Sequence, residues 1–311
     1  MWDIVGSNLG ILFALLTGIT TAFFNIFIKK GMDQSQGKSI GFVITIFINV
    51  IIHSLVFIAV LIVNEFNFHF SWEATGWFVL GGIFSTIIGR YAMLSSIQLI
   101  HPSRSSALKN STPFFTVLYA LLILKEEFSI LSVVGMVILF IVIIMQGVLT
   151  FRQSRNAIHN NKKDKSVWIG YLMGILAAFI FGLGQGVRKQ GLLINNDPIY
   201  GALIGSLIAL IAIVSYQGFK GNLKTIVLEN YRIININFIL ASIFLSFGPV
   251  FFFLAASLMQ VSYVSVIAAV EPLITVLLSV FFLKGREKIT PSVWIGAILI
   301  LIGITFISLD N

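Results

Sequence analysis

Cysteine is absent from this chain, which excludes disulfides, thiolate metal sites, iron–sulfur clusters and cysteine nucleophiles, and leaves the redox state of the compartment unread. Charge is scarce as well. Asp, Glu, Lys and Arg make up 10% of the 311 residues, against about 25% in ordinary soluble domains. So few charges cannot cover the surface of a soluble globule of this size. No G-x-x-x-x-G-K-[ST] run is present, so an ATP-burning pump on this chain is excluded. The four histidines, His53, His69, His101 and His159, are dispersed, with no two at metal-ligand spacing. Eleven of the twelve acidic residues fall in loops or at helix ends, so paired catalytic carboxylates within a bilayer are missing. A membrane enzyme, the main rival class, is therefore disfavoured. No filter-like loop suggests a channel, and no cofactor or metal is expected.

What fills the chain is apolar: hydrophobic residues make up 58%, and the net charge is +8. Bilayer spans of about 20 apolar residues fit this length about ten times over. The runs lie at roughly 9–28, 40–63, 75–98, 103–124, 130–150, 168–187, 199–217, 236–259, 262–283 and 291–308. They are too long for tilted barrel strands of about 10 residues and lack strict alternation. The expected fold is an all-α polytopic membrane protein of ten transmembrane helices. The first run follows Met1-Trp2-Asp3 with neither a basic segment nor a small-residue cleavage site, and reads as a retained helix rather than a signal peptide. The basic residues lie mainly in short loops between the runs. This placement fits membrane topology, with the lipid bilayer as partner, and not a nucleic-acid face.

The hydrophilic stretch 151–167 separates a first five-helix unit, 1–150, from a second, 168–311. The two repeat each other. At a shift of 160, Gly10, Lys29 and Gly31 meet Gly170, Lys189 and Gly191, while Asn25 meets Gln185. At a shift of 159, Ser103, Ser106, Pro113, Thr116 and Lys125 meet Ser262, Ser265, Pro272, Thr275 and Lys284, and Gly89 meets Gly248. Apolar letters coincide by chance, whereas Gly, Pro and Lys at nearly one shift do not. Because five is odd, the halves must enter the membrane from opposite sides as an inverted-topology repeat. Two similar packings of opposite orientation can open a central site alternately to each side, which points to a secondary transporter.

The two halves, the pair Glu271-Pro272 and the closing patterns Leu124-Lys125-Glu126-Glu127 and Leu283-Lys284-Gly285-Arg286-Glu287 resemble the drug/metabolite transporter superfamily. Within it, the chain is most similar to the ten-helix EamA-type exporters of amino acids and other metabolites. The resemblance covers nearly the whole chain and implies the fold and an efflux role. It is a poor guide to substrate, because the superfamily spans drugs, amino acids, choline, nucleotide sugars and sugar phosphates. The first half departs from the pattern, with Thr112-Pro113 where the second has Glu271-Pro272.

Loops after the odd-numbered runs hold fifteen of the twenty Lys and Arg; the opposite face holds Lys125, Arg188 and Lys189, and Arg90 and Lys109 lie inside runs. The positive-inside rule then puts both termini outside the cytoplasm, whereas relatives of the family usually keep both inside.

Ionisable groups at membrane depth are costly and are functional candidates by default. Here they are Arg90, Lys109 and Glu271. At about 1.5 Å per residue, Glu271 sits roughly 17 Å from the face with the basic loops, and Arg90 and Lys109 roughly 9 Å from it. Two cations below one anion would make a net positive cavity suited to a carboxylate or phosphate. Alternatively, both cations snorkel, and Glu271 accepts Lys109 across the symmetry axis. If protons couple transport, Glu271 is the only obvious carrier. Asn25 and Gln185 are further substrate-binding candidates, with Thr112, Thr116 and Thr275 on polar stripes and Tyr91 beside Arg90. The stripe Thr17, Thr21, Asn25 serves equally for helix packing. Pro113 and Pro272 are expected to interrupt their helices at equivalent positions, a pointer to a midplane site. Gly182, Gly184 and Gly186 read as close packing and not as a dinucleotide fingerprint. His53 reads as a hydrogen-bonded core residue.

The expected protein is a multi-pass transporter of the cell membrane, with a bacterial plasma membrane as its setting. It exports amino acids or related small metabolites by alternating access. The alternatives are a lipophilic-cation exporter using Glu271 and a sugar-phosphate or nucleotide-sugar exchanger. Operation as a monomer follows from the internal symmetry alone.

Overall fold

The computed structural model describes residues 2–34, 42–100, 105, 108–157, 165–221, 234–282 and 291–309. The second closing pattern after Phe282, linker residues 158–164 and many of the loop cations lie outside the described residues. Regular structure among the described residues is entirely helical, as a bilayer demands when every backbone amide must find its partner within the chain. Six helices are long and apolar enough to cross a membrane, and three shorter apolar helices accompany them.

The first half contains α1 (Trp2–Gln34), α2 (Phe42–Val63), α3 (Trp72–Gly82), α4 (Arg90–Ile100), α5 (Thr112–Tyr119) and α6 (Ile130–Ala157). The second contains α7 (Lys165–Ile194), α8 (Pro198–Phe219), α9 (Ile236–Leu258), α10 (Val261–Ala268), α11 (Glu271–Phe282) and α12 (Pro291–Ser308). Three of the ten expected runs are thus assembled from shorter pieces. The third passes from α3 to α4 through a π-helical segment, Ile83–Gly89. The fourth turns at Asn110 and Ser111 before α5, and the ninth turns at Ala269 and Val270 before α11. Both turns immediately precede Thr-Pro or Glu-Pro. Proline is tolerated in a helix's first turn and not in its interior, so each pair starts a new helix.

The long first helix of each half packs into the other half. The α1 helix lies along α9 and α11, whereas α7 lies along α3, α4 and α5; α6 and α12 pair with each other. Close approach is made by glycine. A Cβ at Gly18 would meet the Ala268 carbonyl at 3.0 Å, and one at Gly182 would meet Phe115 Cβ at 2.6 Å and the Thr112 carbonyl at 3.0 Å. Each helix break is therefore pressed by a glycine of the opposite half. Gly184 and Gly186 similarly accommodate Ser85 and Tyr119, the packing role expected for that run. Trp72, Trp168 and Trp294 stand exposed in the first turns of α3, α7 and α12, as interfacial anchors do.

Two sequence-based boundaries need correction. By hydropathy the sixth run ends before Arg188-Lys189, but α7 continues to Ile194, and α1 likewise carries Lys29 and Lys30 to Gln34. Hydropathy ends a helix at its first cations. The backbone continues because Lys189 has a partner: its ammonium donates to the Ala256 and Met259 carbonyls at 2.6 and 3.1 Å, satisfying the C-terminus of α9. Across the same corner, Glu126 caps α10, accepting from Val261 N at 2.9 Å and from Ser262 Oγ at 2.5 Å. Losing such a cap costs about 1–2 kcal/mol. We expect Glu126→Ala to lower the thermal midpoint accordingly in detergent. Glu126→Asp, too short to reach both donors, should do nearly the same, and a midpoint unchanged in both variants would remove the capping role.

Candidate functional site

A cavity of about 130 Å³ lies among α2, the π-helical segment, α4, α7, α8 and α9. The π-helical turns widen the helix at Ser85 and Thr86, which line the cavity together with Arg90 of the following turn. Phe181, Gln185 and Arg188 enter it from α7 at i, i+4 and i+7, one helical face. Asn49 and His53 of α2, Ser206 of α8 and Pro249 within α9 close it.

The chemistry of this lining is cationic and hydrogen-bonding. Arg90 and Arg188 are close enough to repel each other, and no carboxylate lines the cavity among the described residues. Arg188 lies against Phe253, with Cζ 5.4 Å from the ring centroid, a cation–π contact that holds the guanidinium in place. Buried polar atoms are nearly always hydrogen-bonded. Five buried side-chain atoms here have no protein partner among the described residues, and three of them, His53 Nδ1, Ser85 Oγ and Arg188 Nε, belong to cavity-lining residues.

A second polar cluster joins the two helix breaks. Lys109 Nζ lies 3.5 Å from Glu271 Oε2, and Asn25 Nδ2 donates to Glu271 Oε1 at 2.6 Å. Glu271 stands in the first turn of α11, where the helix dipole favours an anion. Thr112 donates to the Lys109 carbonyl at 2.6 Å, and Thr275 to the Glu271 carbonyl at 2.9 Å. Between cluster and cavity stands Thr116, fully buried. It donates to Gln185 Oε1 at 2.8 Å and accepts from Ser265 Oγ at 3.2 Å.

The structure thus divides the sequence candidates. Arg90 and Gln185 line the cavity. Asn25, Lys109 and Glu271 form the neighbouring ion-pair cluster, with Thr112, Thr116 and Thr275 bonded around it. The expected level of two cations, Arg90 and Lys109, is corrected: Lys109 is held by Glu271, and the cation that shares the cavity with Arg90 is Arg188, which hydropathy places beyond the end of its span. Tyr91 is corrected too, being 72% exposed on the outer surface of the bundle and outside the cavity. Nothing is described of the Pro272 side chain, but its position opens α11 as Pro113 opens α5. Thr17 and Thr21 bond carbonyls of their own helix, in keeping with packing. The signal for Arg188 was present in its spacing from Phe181 and Gln185. Hydropathy hides it, because an arginine followed by a lysine reads as the end of a span.

The EamA-like transporter family matches the chain twice, over residues 8–147 and 168–309. An uncharacterized protein of Methanocaldococcus jannaschii is 27% identical over 144 residues, which is 45% of this chain and 96% of that protein, so the relative is about as long as one half. A solved crystal structure shares 18% identity and superposes over 96% of this chain and 99% of its own with a TM-score of 0.65, a likeness of fold. With two family matches that together span most of its length, and with helices long and apolar enough for repeated crossings, this chain belongs to the EamA-like transporter family and is a multi-pass membrane transporter.

Proposed function

We propose that this transporter exports small carboxylate-bearing metabolites, amino acids and related acids, across the cell membrane by alternating access, with Arg90 and Arg188 gripping the carboxylate. The observation that carries this reading is the pair of arginines on one cavity without a lining carboxylate. Holding two cations at membrane depth is costly. An anion between them makes short charge-assisted hydrogen bonds, and the guanidinium fork matches a carboxylate in two bonds at once. Ser85 and Gln185 supply neutral groups to orient the rest of a small substrate. Export of a lipophilic cation would need Glu271 as its ligand, and Glu271 is committed to Lys109 and Asn25.

The two halves supply the motion. Their helix breaks lie at equivalent positions, each pressed by a glycine of the other half, so an inverted repeat could exchange conformations by rocking about these points. A ligand panel tests the substrate class by thermal unfolding of the purified protein. It would contain amino acids, organic acids, lipophilic cations, choline and sugar phosphates. A ligand at a hundred times its dissociation constant adds about 2.7 kcal/mol. Stabilisation by acids or amino acids is expected. Stabilisation by cations alone would overturn the reading, and by sugar phosphates alone would shift it to phosphate exchange.

A further inference from the structure

We infer that His53 is a proton site that works with the two arginines, so that each carboxylate substrate is carried together with one proton on Nδ1. The inference rests on the carboxylate reading above and extends it to the coupling ion.

The position of His53 is the first ground for it. His53 stands near the middle of α2, about 15 Å from either end by helical rise, and is 2% exposed. Its Nε2 lies 2.8 Å from the Ser246 carbonyl. A carbonyl only accepts, so Nε2 carries a hydrogen whatever the charge of the ring. In the neutral ring Nδ1 is then a bare lone pair. That atom is buried without a hydrogen-bond partner among the described residues, on a residue lining the cavity that holds Arg90, Arg188 and Ser85. A histidine serving only as structural glue would have both nitrogens satisfied. This one is anchored by one nitrogen at Ser246 and lies near the Ala202 carbonyl, while Nδ1 makes no hydrogen bond of good geometry on a residue that lines the cavity.

The surroundings give the sign of the coupling. Two arginines share the cavity with His53, Arg188 of α7 and Arg90 of α4; of the helices packed against α2, α9 brings no titratable group and α8 only Tyr200 and Tyr216. The Tyr200 hydroxyl is engaged with Thr75, and Tyr216 is exposed. A third positive charge beside two arginines is opposed while no anion is present. A carboxylate reverses this: it offsets the arginines and accepts a hydrogen bond from Nδ1–H. Proton and anion therefore favour each other by one shared free energy. The proton comes from the water on the side to which the cavity opens, resides on Nδ1 during passage, and returns to water on the far side as the anion leaves.

The test uses the full-length protein in detergent with acetate, succinate and L-glutamate as probes. Titration calorimetry in two buffers of different ionisation enthalpy counts protons taken up per ligand, over the histidine range of about pH 5 to 8. Uptake of one proton is expected, with affinity falling about tenfold per pH unit on the alkaline side. His53→Gln, checked for folding by its thermal transition, should lose the uptake and the pH dependence together. Should that variant not fold, Glu271→Gln decides: uptake that persists in it supports His53, and uptake abolished in it moves the proton to Glu271 and overturns the inference. Binding that is equally tight at every pH, without uptake, also overturns it and leaves the carboxylate reading standing. If none of the three probes binds, both fall.

Discussion

Replacing Arg188 by alanine is expected to weaken carboxylate binding about a hundredfold while leaving the thermal midpoint of the ligand-free protein nearly unchanged. Hydrogen bonds to charged groups contribute about 1.5–3 kcal/mol each, and losing about 2.8 kcal/mol is a factor of a hundred in affinity. Stability should hardly suffer, because the arginine's buried Nε has no protein partner among the described residues and its guanidinium lies against the Phe253 ring. Removing it sacrifices a modest cation–π interaction but also relieves repulsion from Arg90. Arg188→Lys should keep the charge and lose the fork, with about a tenfold loss of affinity. Binding by calorimetry and unfolding by differential scanning fluorimetry check the two halves of this expectation. A large drop in midpoint with affinity intact would make Arg188 a structural residue and remove it from the site.

The opposite pattern is expected at Glu271. Glu271→Gln should destabilise the protein by about 2 kcal/mol, at the low side of the 3–5 kcal/mol seen when one member of a buried pair is removed. The discount reflects the exposure that both side chains retain, 25% for Lys109 and 16% for Glu271. The variant leaves Lys109 without its counter-ion and changes the acceptor that Asn25 uses. Lys109→Met should cost a similar amount, and the double variant should recover about 1 kcal/mol or more, since the two residues are in contact and do not add. Thermal unfolding of the four proteins closes the cycle. If Glu271→Gln instead abolished binding of cations without a change in stability, Glu271 would be a ligand and the cation-export reading would replace ours.

The contrast between these residues shows what could be read without coordinates. Glu271 and Lys109 were visible as ions inside apolar runs, and their pairing was one of the arrangements foreseen, because an isolated ion at that depth has few alternatives. Asn25 and Gln185 were visible as repeat partners, yet they have unlike fates: Asn25 holds Glu271, whereas Gln185 faces the cavity and meets Thr116. The first half has Thr112 at the position equivalent to Glu271, so Gln185 meets no carboxylate there. Arg188 was not visible as a membrane residue, because hydropathy cannot distinguish a cation that ends a helix from one sheltered by a cavity. His53 was visible as a lone histidine, but the state of its second nitrogen depends on neighbours distant in the chain.

Composition and periodicity alone determined that this chain lies in a bilayer, that it is helical, and that it is built twice from one pattern. These properties follow from local rules: apolar length, backbone hydrogen bonding within a helix, and residues matched at nearly one shift. The tertiary structure decided which ions neutralise each other and which share a cavity. Those outcomes depend on crossings between the halves, where α7 brings Arg188 beside Arg90 and α1 brings Asn25 to Glu271. Charges interact through space at a few ångströms, and no spacing along one chain specifies such distances before the helices have packed.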